Sequence, residues 1–319
     1  MNAAPWYAPP VARPGHCIVI GGGLAGCSVA HALDQLGLPV TLVEQQVVGS
    51  GASGNQRAVL RPHLNRTSGI HNRFSQTAFL AAVSVLQQLA NTGCKPEYEL
   101  CGVLQLLDNI DNWPAFDCAV PLDASAMQKF SHGLFPCNIN REPGTRKGAL
   151  HSESAGWVNI ASYCQALLSN ASNLQIYEHH AAEQITPTAQ RWQVAVNHRG
   201  IRSTLEADNV IVTSGPGTQP LLAGHDLPLT ISAGQTTRYS SPVFTGGTII
   251  TGSRYLIPED GICTLGATHH RGSNQLQATD EDDAANVSAV REMLPRLTTL
   301  GTIVDHWRAL RASTPDRLP

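Results

Sequence analysis

The sequence predicts a mixed α/β fold in which a parallel β-α-β unit is interrupted along the chain by a separate antiparallel sheet. Three observations carry that prediction. Ile18 to Ile20 is a short, unbroken apolar run that stops at Gly21-Gly22-Gly23, the pattern of a strand buried on both faces. Val210-Ile211-Val212 repeats it far downstream, inside the segment Ala207 to Gly215, and again ends near glycine. Beyond it, Thr230 to Tyr239, Gly247 to Ile257 and Gly261 to Ala267 read as strands bounded by turn residues, the signature of an antiparallel sheet.

The first strand runs directly into the most informative motif. Gly21, Gly23 and Gly26 have the G-x-G-x-x-G spacing. In that arrangement the first glycine permits a tight turn and the second lets a pyrophosphate approach the backbone. The third lets the following helix pack close to the strand. The helix is predicted from Leu24 to Leu36, with Leu24 and Ala25 at the N-terminus that faces the phosphates, and Gly37 stops it. Pro39 to Val43 is the second strand, and Glu44 ends it where a carboxylate can accept hydrogen bonds from a ribose. Strand, glycines, helix, strand and acid in this order predict a dinucleotide site. The loop that follows contains Gly51, Ala52, Ser53, Gly54 and Asn55. It either lies against the ligand, where larger side chains would clash, or is a plain surface loop. Gly215, at the end of the returning strand, is the remaining cofactor-binding candidate.

The other elements follow in order. Residues 1–14 hold four prolines and read as a linker. Ile70 to Leu89 is predicted as an amphipathic helix with Phe74, Ala78, Val85 and Leu89 near one face. Arg57, Arg61, His63, Arg66, His71 and Arg73 make this the most basic stretch, either solvated or in contact with phosphate. Glu99 to Leu107 reads as a strand, and Asp108 to Arg146 as irregular, broken by prolines. Asn159 is placed to cap a helix running to about Leu168. Leu174 to Tyr177 is a strand, and Arg191 to Val196 alternates like a hairpin strand. Asp280 to Leu294 is a helix with acids in its first turn, as the helix dipole favours, and Val304 to Leu310 is the last strand.

Composition limits the alternatives. The 319 residues suffice for one large domain or two modest ones, and 42% hydrophobic against 14% charged residues argues against wholesale disorder. A net charge of −3 gives no global basic field for nucleic acid. The eight cysteines form no C-x-x-C pair, which excludes zinc ribbons and thioredoxin chemistry and suits reduced thiols in a cytosol. No metal site is predicted. No apolar run is long enough to cross a bilayer and no signal peptide is evident, so a soluble cytoplasmic protein without a membrane partner is expected.

These residues resemble the FAD-dependent D-amino-acid oxidase and glycine oxidase superfamily, over nearly the whole chain after Gly15. Within it they resemble the C-terminal oxidoreductase module of the bifunctional enzymes that modify the tRNA wobble uridine. Gly51-Ala52-Ser53-Gly54-Asn55 through Pro62 resembles the family's "GASGN…P" segment. Tyr255-Leu256-Ile257-Pro258 and Leu265 to Gly272 resemble its substrate-domain strands. Leu310-Arg311-Ala312-Ser313-Thr314-Pro315-Asp316 with Leu318-Pro319 resembles its "R…D..P" segment, and Pro5-Trp6-Tyr7 the linker between its two modules.

The resemblance implies a Rossmann-type, glutathione-reductase-like FAD-binding domain at 15–62 and 150–224, interrupted by an antiparallel-sheet substrate domain at 63–149 and 225–319. It implies FAD as cofactor, with the chemistry on the flavin and no certain catalytic side chain. It further implies that Arg311 clamps a substrate carboxylate and that Tyr255 hydrogen-bonds the same group. A structural ion pair for Arg311 and a core position for Tyr255 are the alternatives, and His269 and His270 either meet phosphate or are ordinary loop residues. The implied reaction removes the carboxymethyl group from carboxymethylaminomethyl-(2-thio)uridine in tRNA, giving aminomethyluridine and glyoxylate. A small-molecule glycine or D-amino-acid oxidase and a truncated, inactive flavin-binding remnant are the competing functions. In the family a further segment follows the arginine-bearing strand and closes over the flavin. The chain, ending at Pro319, is therefore expected to lack it and to bind FAD weakly, with a methyltransferase module upstream in a longer protein.

Overall fold

The computed structural model describes residues 15–67, 69–111, 113–114, 116–130, 147–297 and 300–315. The predicted linker at 1–14, the stretch 131–146 and the terminal Asp316 to Pro319 lie outside the described residues. In chain order the elements are β1 (Cys17–Ile20), α1 (Leu24–Gln35), β2 (Val40–Val43), β3 (Ala58–Leu60), α2 (Ile70–Leu89), β4 (Tyr98–Glu99) and β5 (Val103–Leu107). Next come β6 (Val120–Asp123), α3 (Ala124–Met127), β7 (Gly148–Ser152), β8 (Gly156–Val158), α4 (Ile160–Leu168), β9 (Leu174–Tyr177) and β10 (Ala181–Pro187). They are followed by β11 (Trp192–His198), β12 (Ile201–Ala207), β13 (Asn209–Val212), α5 (Thr218–Leu221) and β14 (Thr230–Thr245). The last are β15 (Ile249–Thr251), β16 (Tyr255–Gly266), β17 (His270–Arg271), α6 (Asp280–Met293) and β18 (Ile303–Ser313).

The chain divides into two compact units, Met1–Ser50 with Leu167–Leu227, and Gly51–Ala166 with Pro228–Pro319. The first unit holds a parallel sheet in the order β13-β1-β2-β9. Ile20 lies opposite both Val43 and Val212, so the carboxyl ends of three strands stand level. The two apolar runs separated by most of the chain are thus neighbours, each buried or half-buried along its length. The hairpin segment read at 191–196 is the central strand of an antiparallel sheet, β10-β11-β12. Its alternation follows from packing one face on the parallel sheet: Val194, Val196 and Ala207 join Ile18, Ile20 and Val43 in one core. Asp34, buried near the end of α1, accepts from the N–H groups of Ser172 and Asn173 at 3.1 and 2.8 Å and ties the helix to the start of β9.

The second unit is built on a sheet in the order β17-β14-β16-β15-β5-β7-β6, with β18 paired to β14. All of its pairs are antiparallel except β15 with β5. Helix α6 covers one face, placing Val290 and Leu294 among Tyr239, Phe244, Leu256 and Leu265. Thr279 caps it, its hydroxyl accepting from the Asp282 N–H at 3.3 Å. A small sheet, β3-β8-β4, carries residues 58–60 and 156–158 within this unit.

Three local expectations are corrected. The strand expected from Glu99 to Leu107 is two strands, because Gly102 turns with φ +82 and its N–H is taken by Ala155, sending β4 and β5 to different sheets. The stretch expected to be irregular contains β6 and α3; Asp123 accepts from the N–H groups of Ser125 and Ala126 at 3.0 and 2.9 Å and so starts the helix. In α2 the buried face is Phe79, Val83, Leu86 and Leu89 rather than the face of Phe74, which is 47% exposed.

Candidate functional site

The first unit places its glycine turn at the level carboxyl ends of β13, β1 and β2. Gly21 takes φ +108, which only glycine adopts without strain, and begins the turn into α1. A Cβ on Gly26 would stand 1.8 Å from the Gly21 carbonyl oxygen, so the helix approaches the strand end as closely as backbone allows. Thr213 locks β13 to the same turn, its hydroxyl donating to the carbonyls of Ile20 and Gly21 at 2.9 and 3.1 Å. Gly23 is the N-cap of α1; the helix has no side-chain cap and no acid in its first turn. That arrangement suits an anion at the helix N-terminus.

Glu44 is 7% exposed and folds back on the turn. Its carboxylate accepts from the Gly22 N–H at 2.7 Å, the Gln46 N–H at 2.8 Å and the Ser50 hydroxyl at 3.4 Å. The acid therefore shapes the glycine turn. Gly215, at φ +53 with no atom within 4 Å of a Cβ position, opens the short turn after β13. This glycine cradle, with an uncapped helix start and an acid at the strand end, fits the diphosphate and ribose of a dinucleotide.

In the second unit, Gly51–Gly54 form a tight helical turn that ends on Asn55. The Asn55 carbonyl accepts from the Ile160 N–H at 3.2 Å, and its side-chain Oδ1 from the Arg57 N–H at 3.0 Å. Burial pushes the Tyr255 phenol up to about 12, with the neighbouring Asn55 side chain acting in the lowering direction. Gly266 makes room for the ring: a Cβ there would lie 2.8 Å from the Tyr255 hydroxyl. Thr236 on β14 is level with Gly266 on β16 and Trp307 on β18, and Ser232 is level with Arg311. Because side chains alternate along strands, Trp307 and Arg311 share one face of the sheet with Thr236 and Ser232. The Trp307 ring lies on Gly54, where a Cβ would meet it at 2.4 Å.

Tyr255 and Asn55 are thus near neighbours. Arg311 is exposed and stands four residues from Trp307 on β18, about 13 Å along the strand. Among the described residues it makes no ion pair. The basic stretch separates into two roles. Arg57 pairs with Glu97 and Glu259 at 2.9 and 2.8 Å and lies 4.0 Å over the Trp157 ring. Arg61 bonds Gln105 at 2.9 Å, and burial lowers its pKa. Both are built into the fold, whereas Arg66, His71 and Arg73 are exposed. His270 pairs with Asp282 at 2.5 Å. Sequence reasoning missed Trp307; its spacing from Arg311 on a predicted strand was the available signal.

Comparison with known proteins agrees with this geometry. The model of the family described as "FAD dependent oxidoreductase" matches residues 16–319. A protein of Chromohalobacter salexigens is 32% identical over 99% of this chain and 47% of its own length. One of Nitrosospira multiformis is 30% identical over 98% of this chain and 53% of its own. Both are named tRNA 5-methylaminomethyl-2-thiouridine biosynthesis bifunctional protein MnmC. The chain spans about half the length of the curated relatives it matches. Among solved structures, glycine oxidase from Geobacillus kaustophilus aligns with TM-score 0.76 at 18% identity, over 96% of this chain and 85% of its own. L-proline dehydrogenase from P. horikoshii aligns with TM-score 0.78 at 17% identity, over 97% and 84%. At these identities the likeness is one of fold.

Proposed function

Because this chain belongs to the FAD-dependent oxidoreductase family, we propose that it is the flavin-dependent half of a bifunctional tRNA-modifying enzyme. Its reaction is oxidative removal of the carboxymethyl group from carboxymethylaminomethyl-(2-thio)uridine at the wobble position, leaving aminomethyluridine and glyoxylate. FAD as cofactor and oxidoreduction as the activity follow from the family. The names of the bifunctional relatives support tRNA as substrate and a second module in the longer protein; in our reading that module is a methyltransferase and the place of action is the cytoplasm. The observation that carries the substrate reading is Arg311, exposed and without an ion pair among the described residues, on the sheet face that also carries Trp307.

In this reading Gly21, Gly23, Leu24, Ala25, Gly26, Glu44 and Gly215 hold the diphosphate and ribose of FAD. Gly51, Ala52, Ser53, Gly54 and Asn55 are the remaining candidate contacts of the cofactor. Bound FAD supplies the two-electron acceptor. The protein's task is positioning: Arg311 receives the carboxylate through two parallel charge-assisted hydrogen bonds, and Tyr255 donates a third. Held so, the methylene beside the amine loses a hydride and the nitrogen a proton, giving a C=N bond. Water adds to that carbon, the C–N bond breaks, and glyoxylate leaves.

The test incubates FAD-supplemented protein with tRNA carrying the modified nucleoside, followed by mass spectrometry of the digest and trapping of glyoxylate. Loss of the carboxymethylaminomethyl nucleoside with stoichiometric glyoxylate is expected. Far faster oxidation of free glycine or sarcosine would replace this reading with a small-molecule amino-acid oxidase. Failure to consume either substrate would leave the inactive remnant.

A further inference from the structure

We propose that the first turn of α2 and the loop before it form the surface on which the tRNA backbone rests outside the reaction site. The inference rests on the reading that tRNA is the substrate. It names the part of the protein that would carry the rest of that molecule, for which a free amino acid has no use.

The charge pattern is the first observation. From Gln45 to Pro96 the chain holds no aspartate or glutamate, against 24 in the whole chain. The same stretch holds Arg57, Arg61, Arg66, Arg73 and Lys95. An ordinary solvated helix sets cations and acids four residues apart, where they pair. Helix α2 runs for 20 residues without one acid, and its exposed positions include Thr77, Ser84, Gln87 and Gln88. Nothing on the element cancels the field of its arginine. A chain of net charge −3 repels a polyanion as a whole, so a local surface of this kind fixes where RNA settles.

The structure sorts and fixes the cations. Arg57 and Arg61 are held inside the fold by Glu97, Glu259 and Gln105. Arg66, His71 and Arg73 are exposed and make no ion pair among the described residues. The buried Asn72 gathers them. Its Nδ2 donates to the carbonyls of Asn65 and Thr67 at 2.9 and 3.0 Å, and its Oδ1 accepts from the Asn65 N–H at 3.1 Å. The Ser75 hydroxyl accepts from the His63 N–H at 2.6 Å. The loop carrying Arg66 is therefore stapled against the helical turn carrying His71 and Arg73. Phe74, 47% exposed and next to Arg73, adds a ring on which a base packs.

An anionic membrane is the other polyanion that a basic helix meets. A helix lying in a membrane surface carries Lys and Arg along its polar face, whereas no Lys or Arg follows Arg73 within α2. Charge confined to one end of the helix and its loop suits a strand of phosphates. The surface also belongs to the same unit as Gly54 and Trp307. The chain from Gly54 to Arg66 spans at most about 40 Å, a distance that a single tRNA covers.

The experiment measures fluorescence anisotropy of labelled tRNA with the full, FAD-supplemented chain between about 50 and 200 mM salt. Arg66→Gln and Arg73→Gln should each weaken binding and reduce the slope of log affinity against log salt by about 0.7–0.9, and the double variant by about twice that. Phe74→Ala should weaken binding about fivefold or more and leave the slope unchanged. Arg199→Gln removes an exposed cation from the hairpin between β11 and β12 and should change neither. A parent slope in the double variant, an equal loss in Arg199→Gln, or a parent that binds tRNA without salt dependence or not at all would each overturn the proposal. Co-sedimentation with phosphatidylserine vesicles that is lost in the double variant, with tRNA affinity unchanged, would give the surface to a membrane instead. Reduced slopes in a chain that leaves the modified nucleoside intact would refute the tRNA reaction but keep the surface. Turnover of modified tRNA with the parent KM in the double variant would refute the surface alone.

Discussion

Replacing Gly26 with alanine tests whether the close approach of α1 to β1 is structural. The new Cβ would meet the Gly21 carbonyl oxygen at 1.8 Å and the Thr213 hydroxyl at 2.7 Å. Both atoms belong to a buried junction, and the nearer one is backbone, so no side chain can swing aside; the helix must retreat by more than an ångström. Overpacking of this kind costs roughly 1–3 kcal/mol. Displacing the Thr213 hydroxyl from its two carbonyls adds about 1 kcal/mol, and the better helix propensity of alanine returns about the same amount. The net expectation is a loss of about 1–3 kcal/mol. For a unit of this size that is a fall in Tm of roughly 4–12 °C, read by circular dichroism. Gly54→Ala is the control: its Cβ would meet the Trp307 ring at 2.4 Å, but that ring is 38% exposed and free to swing out. Its effect should stay within about 0.5 kcal/mol. A Gly26→Ala melt within a degree of the parent would refute the argument.

Gly23→Val should fold, because the N-cap backbone at φ −76, ψ −176 is open to valine, yet lose dinucleotide binding. Unchanged affinity in a flavin-fluorescence titration would remove Gly23 from the site. Arg311→Ala should cost roughly 2–5 kcal/mol in kcat/KM toward modified tRNA, and Arg311→Lys should recover only part of it because the planar fork is gone. Wild-type kinetics in the alanine variant would end the clamp idea. Asp282→Asn leaves the buried Arg308 guanidinium, 4% exposed, without its counter-charge and should destabilise by about 3–5 kcal/mol at neutral pH. Burial pushes the Asp282 carboxyl up, but hydrogen bonds from His270 and Arg308 outweigh it and hold the pKa below the ordinary value. A depressed folded pKa stabilises above the unfolded value and is lost as pH falls through the folded one. Unfolding free energies of parent and variant should therefore converge below about pH 4, and parallel profiles would contradict the assignment.

The sequence by itself determined the strand, glycine turn, helix, second strand and Glu44, together with the return of residues 209–212 to the same sheet. These are local signals: continuous apolar runs, glycines at fixed offsets, and an acid at a strand end, each legible without knowing its partner. It also marked α2, α6 and the cap at Asn159, whose side chain accepts from the Ser162 N–H at 3.2 Å. Only the tertiary structure decided which face of α2 is buried, since the face depends on what lies against it. The same holds for the division of the basic stretch, where Glu97, Glu259 and Gln105 claim Arg57 and Arg61. It likewise decided that Trp307 lies on Gly54. Those contacts join residues far apart in the chain through the register of β14, β16 and β18, and register is set by hydrogen-bonded pairing that a linear pattern does not encode.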